Sequence, residues 1–467
     1  MENYDYDLIA IGSGSAGGAA AFVAKAAGRK IAIVEEFKDK LGGHCPNYAC
    51  VPTKALLNAA QVYKTVKNAS AFGIYADNPR FDFAKIAEYR DNVVNQLTGP
   101  RIERNLHNAG IDLLWGRAQF VSDHELMIGD KKYSAANILI ATGSKEFVPP
   151  IPGLVEAGYM TSDQAVRLRE LPKSIIIIGG GPVGTEFTQV FSSFGVPVTL
   201  LQQGPQILQR EDSEIAAVVQ KHLVEELKVN IVLNMEIIDV RKDGAEKIVR
   251  VKQGNEEKEF RASEVMIAAG RRAALGDLKL EAAGLALTPQ GKLKLNEYLQ
   301  TEKAHIWAAG DAAANWQFTH TAAYEGDLVG RNICHNHEEA TDYSVVPRVT
   351  FCEPEVASVG MTEAEAKVKG IEPEVVRYPI GSLGRALIDQ DRRGFVKLLV
   401  DRKTGLLLGG HIVGKQAGQL IHEVAICMKA RVLALTIAKT IHAYPTFSEA
   451  VAAAAERIER PKYDPVI

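Results

Sequence analysis

The stretch "GGHCPNYACVPTK", residues 42–54, carries two of the chain's five cysteines, Cys45 and Cys50, five positions apart among glycines and prolines. Thiols so placed are metal ligands, inert core residues or a redox pair. A structural zinc site needs about four ligands, usually built from C-x2-4-C pairs. No second pair exists, and "CHNH" at 334–337 reads as a polar helix end, so no residue is assigned as a metal ligand. The local chemistry points to reactivity instead. Pro46 suits a first helical turn, which puts Cys45 at the positive N-terminal end of a helix. Lys54 lies one turn beyond Cys50 on the same face. Both effects are expected to lower the thiol pKa values. Five residues of ideal helix rise ~7.5 Å, whereas disulfide Cα atoms usually lie within ~6.8 Å. A regular helix therefore forbids a bond, and Pro46 and Pro52 sit where the chain could bend to permit one.

A redox pair needs an electron source, and two glycine-rich turns suggest it. Gly12-x-Gly14-x-x-Gly17 follows the apolar run of residues 4–12, and Gly179-x-Gly181-x-x-Gly184 follows "SIIII". In such turns the first glycine permits the tight bend and the second lets the backbone approach a pyrophosphate. The third lets the helix pack close to the strand, its N-terminus facing the phosphates. The fingerprint also asks for an acid at the end of the next strand to hold the ribose hydroxyls. Glu35 lies 18 residues after Gly17, and the same count from Gly184 reaches Gln202, an amide. Two dinucleotide sites imply two cofactors with electron transfer between them; a duplication with one dead site is the alternative.

The elements that must hold these residues read as β-α-β, twice. "YDLIAIG", an Ala-rich helix ending at Gly28, and "KIAIVEE" form the first unit, and "NILIATGS" (137–144) adds a strand. Apolar runs alternating with helices predict a parallel sheet. After the Pro-rich "KEFVPPIPGL" the pattern restarts, closing with "EVMIAAGRR" (264–272), and "HIWAAGD" (305–311) lies beyond. From about Pro347 the texture changes to a hairpin turning at Lys403–Gly405, followed by helices. The expected fold class is α/β: two Rossmann-like nucleotide-binding domains plus a different C-terminal α+β domain, which the family resemblance given below makes a dimerisation domain. The expected boundaries are 1–148 and 272–346 for the first domain, 149–271 for the second and 347–467 for the third.

Composition narrows the function. The 467 residues are 46% hydrophobic and 24% charged, as in an ordinary globular protein. A net charge of −3 offers no electrostatic case for nucleic acid or an anionic membrane. No uncharged apolar run approaches the ~20 residues of a membrane span. The acidic N-terminus reads as a strand, not a signal peptide. A cytoplasmic enzyme is expected.

The cysteine motif resembles that of the FAD-dependent pyridine nucleotide–disulfide oxidoreductases, which include dihydrolipoamide dehydrogenase, glutathione reductase and mercuric reductase. The resemblance covers essentially the whole chain in motif order: first fingerprint, cysteine pair, "ATG" strand, second fingerprint, "GD" strand, C-terminal domain. It implies tightly but non-covalently bound FAD, with NADH or NADPH as partner and NADH favoured, since "QQGPQILQ" (202–209) carries no positive charge and Arg210 comes late. By resemblance, Gly12, Gly14, Gly17 and Glu35 hold the FAD adenosine and pyrophosphate, and Asp311 its sugar-alcohol chain. Ser15, Ala16, Gly43, Lys54, Ala118, Thr142, Gly143, Thr319, Gly179, Gly181, Val183, Gly184, Gln202 and Gly270 complete the implied cofactor-binding set. Cys50 would face the flavin and Cys45 would attack the substrate through a Cys45–Cys50 redox disulfide. Lys54 would pair with Glu186 near the flavin's reactive nitrogen. The implied assembly is a homodimer whose C-terminal domain gives an acid–base group to the partner's site.

One signature departs from the family. His-Pro-Thr-x-x-Glu becomes "YPTFSE": Pro445, Thr446 and Glu449 keep the spacing, and Tyr444 stands in the histidine's place. Mercuric reductases resemble the chain here and in "GRALIDQDRRGFVKL" (384–398), but they carry an extra C-terminal cysteine pair where this chain reads "ERIERPKYDPVI". His442, two residues earlier, is a second acid–base candidate. Three functions follow: reduction or oxidation of a small-molecule or protein-bound disulfide with NAD(P)H, a mercuric reductase-like metal reductase, or a flavin-dependent redox sensor.

Overall fold

Apolar runs without alternation need cover on both faces, and the chain provides it. The computed structural model describes residues 4–335 and 339–459, so part of "CHNH" and the last residues lie outside the described set. Strand Tyr6–Ile11 pairs in parallel with Ile31–Glu35 on one side and Lys131–Ile140 on the other. Asp112–Trp115 extends one edge. Ile306–Ala308, far along the chain, pairs in parallel with Lys131–Ile140. Leu8 and Ala10 face a layer with Ala16, Ala20 and Ala24, whereas Ile9 and Ile11 pack with Ile138 and Ile140 beneath the opposite face. Small alanines let helix Ser15–Ala26 lie close to the sheet and to helix Thr319–His335.

The repeat builds a smaller parallel sheet, ordered Asn230–Val232, Val198–Leu201, Ile175–Ile178, Glu264–Ile267. An antiparallel meander of Glu236–Asp243, Glu246–Gln253 and Glu256–Ala262 accompanies it. A two-stranded ribbon, Ser144–Glu146 against Arg271–Ala273, ties the segments entering and leaving this unit. The C-terminal part is a five-stranded antiparallel sheet whose strands Phe395–Val400 and Leu407–Val413 form the expected hairpin. The regular strands are shorter than the apolar runs, because the glycine turns at Gly12 and Gly179 take over where pairing stops. Among the described residues no helix is long and apolar enough to cross a membrane.

Candidate active site

Both glycine turns need glycine for steric reasons. A Cβ on Gly17 would lie 2.0 Å from the Gly12 carbonyl oxygen, and one on Gly184 would lie 1.8 Å from that of Gly179. Gly12 and Gly179 themselves hold φ of 116° and 112°, where side chains are strained. The strand-end partners also correspond. Glu35 Oε2 accepts from the Ser13 hydroxyl at 2.5 Å and, at 3.4 Å, from its backbone N–H. Gln202 Oε1 accepts from the Gly180 N–H at 2.8 Å. The first turn thus presents a carboxylate and the second an amide.

The cysteine helix is broken outright. Helix His44–Tyr48 stops at Ala49 (φ −127°, ψ −94°), and a second helix, Cys50–Lys67, starts on the next residue. This break supplies the departure from regular geometry that a Cys45–Cys50 bond requires. Both thiols are free and partly buried. Cys50 Sγ lies 3.4 Å from Thr319 Oγ1. The two thiols are not lowered together, as local charge alone led us to expect. The hydrogen bond to Cys50, and then burial, raise Cys45 well above the ordinary thiol range. The same hydrogen bond, helped by Thr319 and the Lys54 charge, outweighs burial and brings Cys50 down to about 6. With one thiol raised and its neighbour lowered, ionising one keeps the other protonated. In the reduced holoenzyme, long-wavelength absorbance from a Cys50 thiolate against flavin should hold at about pH 8 and fade as pH falls through about 6. A band unchanged down to about pH 4 would contradict the assignment.

Lys54 Nζ meets both Glu186 carboxylate oxygens, at 3.0 and 2.8 Å, and the Glu186 side chain is only 6% exposed. The Phe351 N–H adds a third hydrogen bond to Glu186 at 3.0 Å, and Lys54 Nζ sits 4.7 Å from the centre of the Phe351 ring. The buried carboxylate is therefore paired, as it must be to stay ionised. Cys45, Cys50, Lys54, Glu186, Asp311 and Thr319 line one pocket with Gly14, Ser15, Ala16, Gly143 and Val183. Asp311 accepts from the Ser144 hydroxyl at 2.5 Å, and Ser144 Oγ also accepts from Arg271 at 2.8 Å.

The other expected cofactor residues lie on adjoining or separate segments. Gly43, at the start of the cysteine helix, faces Gly14 backbone to backbone. Ala118 is buried in strand Ala118–Phe120, just after Trp115, which pairs with Glu35. Gly270 ends the repeat sheet, its carbonyl accepting from the Phe147 N–H at 2.9 Å. Gly181, like Gly143, has open space where a side chain would be. Thr142 Oγ1 is buried with no hydrogen-bond partner. An orphaned hydroxyl next to the open Gly143 leaves a donor that a bound dinucleotide would satisfy.

Tyr444 and Glu449 are not brought to the pocket. Tyr444 is 78% exposed, with its phenol against Gly384, where an added methyl would come within 3.2 Å of the hydroxyl. Glu449 opens helix Glu449–Ala455 and accepts from the Thr446 N–H at 2.9 Å, in the turn just before it. His442 Nε2 is 2.8 Å from Glu423 Oε1. Burial there opposes protonation, but the Glu423 hydrogen bond helps to raise the imidazole above its ordinary value. Sequence reasoning missed Ser13, Ser144, Arg271 and Phe351, which reach the site from distant segments and carry no spacing signal.

Two nucleotide-binding turns with a cysteine pair between them define a flavin- and nicotinamide-dependent oxidoreductase. Residues 6–326 match the pyridine nucleotide-disulphide oxidoreductase family and residues 346–455 match that family's dimerisation domain. The chain belongs to this family, which implies FAD and NAD(P)H as its cofactors. It is 36% identical over 457 residues to a mercuric reductase from Streptomyces lividans, covering 97% of this chain and 96% of that protein. It is equally 36% identical over 456 residues to dihydrolipoyl dehydrogenase from Bacillus subtilis (strain 168), covering 96% of each. A solved structure, the HOCl-induced flavoprotein disulfide reductase RclA from Escherichia coli, matches with a TM-score of 0.88 at 30% identity, covering 97% of this chain and all of that one.

Proposed function

We propose that the chain passes electrons from NAD(P)H through FAD and the Cys45–Cys50 pair to a disulfide substrate, working chiefly in the reducing direction. The observation that carries this reading is the broken helix that sets Cys45 and Cys50 in one pocket with Thr319 and the Lys54–Glu186 pair. The pocket lined by Gly14, Ser15, Ala16, Gly143 and Asp311 would hold FAD, which would supply two-electron transfer between the nicotinamide and the cysteine disulfide. Glu186 and Lys54 hold a fixed charge pair beside it, and Thr319 steadies Cys50.

The reduced pair then holds one thiol, Cys45, and one thiolate, Cys50. Cys45 gives its proton to Cys50 and attacks one sulfur of the substrate disulfide. A Cys45–substrate bond forms, the substrate S–S bond breaks, and the leaving thiolate takes the proton from Cys50. Cys50 then attacks Cys45 Sγ, releases the second thiolate and restores the disulfide. Two electrons leave the pair and two enter the substrate. Cys50 is the base throughout this sequence, so a tyrosine near pKa 10 suffices elsewhere.

The functional unit in this reading is a homodimer, and exposed Tyr444 serves the partner's Cys45 rather than its own. A second reading, reduction of a soft metal ion held by the thiolates, draws support from the mercuric reductase relatives. Turnover of NADH or NADPH with low-molecular-weight disulfides, lipoamide, thioredoxin-like proteins and Hg(II) separates the two. Steady consumption with a disulfide supports the first, and consumption with Hg(II) alone would replace it by the second.

The nucleotide preference should be modest and lean to NADH. The Gln202 carbonyl is committed to Gly180 and one N–H of its amide to Gln209 Oε1 at 3.4 Å, leaving one N–H for a ribose hydroxyl, and no cation lies within residues 202–209. An amide holds a ribose hydroxyl more weakly than a carboxylate does. A hundredfold kcat/KM advantage for NADPH, about 2.7 kcal/mol, would contradict this.

A further inference from the structure

Beside the cysteine helix lies a group of side chains that the redox chemistry above does not use. His44, next to Cys45, points Nε2 to within 3.1 Å of Asp163 Oδ1. Glu146 joins them, and one ligand atom from each residue lies within 4.8 Å of the others. The three come from separate segments: the cysteine helix, the Ser144–Glu146 ribbon and the short helix Ser162–Ala165. We propose that His44, Asp163 and Glu146 form a binding site for one divalent first-row transition cation, distinct from the thiol pair.

Three observations carry this. The first is the donor set. One imidazole and two carboxylates suit zinc, nickel or copper(II), not a soft ion such as Hg(II), and three protein ligands leave a position open. Zinc bonds to such donors run about 2.0–2.2 Å, which puts tetrahedral ligands ~3.5 Å apart, so the three must draw together by up to about 1.3 Å around an ion. The second is dissatisfaction. His44 Nε2 and Asp163 Oδ1 are both buried, and despite their proximity neither has a hydrogen-bond partner. Their contact is near enough for an ion pair but is not aligned for a hydrogen bond. Two facing atoms that each lack a partner are what a shared cation would satisfy.

The third is support around the ligand. The His44 ring stacks on Tyr48 with centroids 5.8 Å apart and planes at 11°. Tyr48 is held in turn by its hydroxyl bond to Asp39 and by Arg167 over its ring at 3.9 Å. This stack fixes the plane of the His44 ring with Nε2 turned toward Asp163. One cation already stands nearby: Arg271 Nη1 is 3.3 Å from Glu146 Oε1. Arg271 also donates at 2.8 Å to both the hydroxyl and the carbonyl of Ser144. It therefore stays satisfied when Glu146 turns to an ion.

The test uses FAD-loaded Cys45→Ser/Cys50→Ser protein, which removes the thiol pair as a competing ligand, titrated with Zn(II) against a chromophoric chelator. The site predicts one zinc per chain. His44→Gln should weaken binding by at least about 100-fold, the upper end of what losing even an outer-shell partner costs. Glu146→Gln should weaken it by at least about tenfold, with FAD content and circular dichroism unchanged. His124→Gln, remote from the cluster, should have no effect. Three results would overturn the proposal: no zinc bound by the FAD-loaded double variant, stoichiometric zinc unaffected by His44→Gln and Glu146→Gln, or zinc bound only after FAD is stripped. Should His44→Gln lose FAD, Asp163→Asn provides the same reading.

Discussion

Replacing Cys45 by serine is expected to lower turnover with a disulfide substrate by at least about 10⁴-fold, the scale of removing a covalent nucleophile. Cys45 forms the only bond to substrate in the proposed sequence, and a serine hydroxyl is a far weaker nucleophile. Hydride transfer from NAD(P)H to flavin does not use Cys45 and should survive. The measurement is a pair: steady-state turnover with a disulfide, and stopped-flow flavin reduction under anaerobic conditions. A variant that loses both has lost its flavin site. One that keeps more than roughly a hundredth of wild-type turnover would show that another group attacks the substrate.

Tyr444→His is expected to raise the oxidation of dihydrolipoamide by tenfold or more, within the ~10²–10⁴ range of a positioned base. The two directions of thiol chemistry differ in where a base is needed. In the proposed reduction, Cys50 accepts the Cys45 proton. In oxidation the incoming substrate thiol must be ionised while both cysteines are locked in their disulfide, so no sulfur is free to take the proton. A tyrosine near pKa 10 is a poor base at neutral pH, whereas a histidine near 6.5 is a good one. Reduction of an activated disulfide should change little in Tyr444→His, and Tyr444→Phe should impair the native reaction through a lost hydrogen bond. If both variants match wild type on every substrate, Tyr444 has no catalytic part, and His442, already oriented by Glu423, becomes the acid–base candidate.

What the sequence conveyed and what it withheld divide along a physical line. Local rules read well. Glycines that no larger residue could replace mark both nucleotide turns, and counting from them reaches Glu35 and Gln202, which hold corresponding positions in the structure. The bend between the cysteines was legible because helix geometry forbids their bond. Contacts across long separations were not legible. Ser144 reaches Asp311 and Arg271, and Phe351 reaches Glu186, through pairing of segments whose spacing obeys no rule. The Lys54–Glu186 pair and Thr319 were expected from family resemblance rather than from any pattern in the residues.

The thiol pKa values show the same limit more sharply. Helix N-terminus and Lys54 argued for lowering both, and this holds for Cys50. For Cys45 the neighbouring sulfur dominates, and the sequence does not specify that the two touch. Tyr444 was expected to face Cys45, yet within its own chain it stands exposed. In the proposed reading Tyr444 completes the partner's site, a role of which one chain carries no trace.

The most direct test of the account is an anaerobic reductive titration of the FAD-loaded protein. A flavin and a disulfide each accept two electrons, so wild type should take up about four electron equivalents per chain. Long-wavelength absorbance should peak midway, when the Cys50 thiolate lies against oxidised flavin. Cys50→Ser should take up about two equivalents and show no such band. Uptake of only about two equivalents by wild type, or an unchanged band in Cys50→Ser, would contradict an electron path through the Cys45–Cys50 pair.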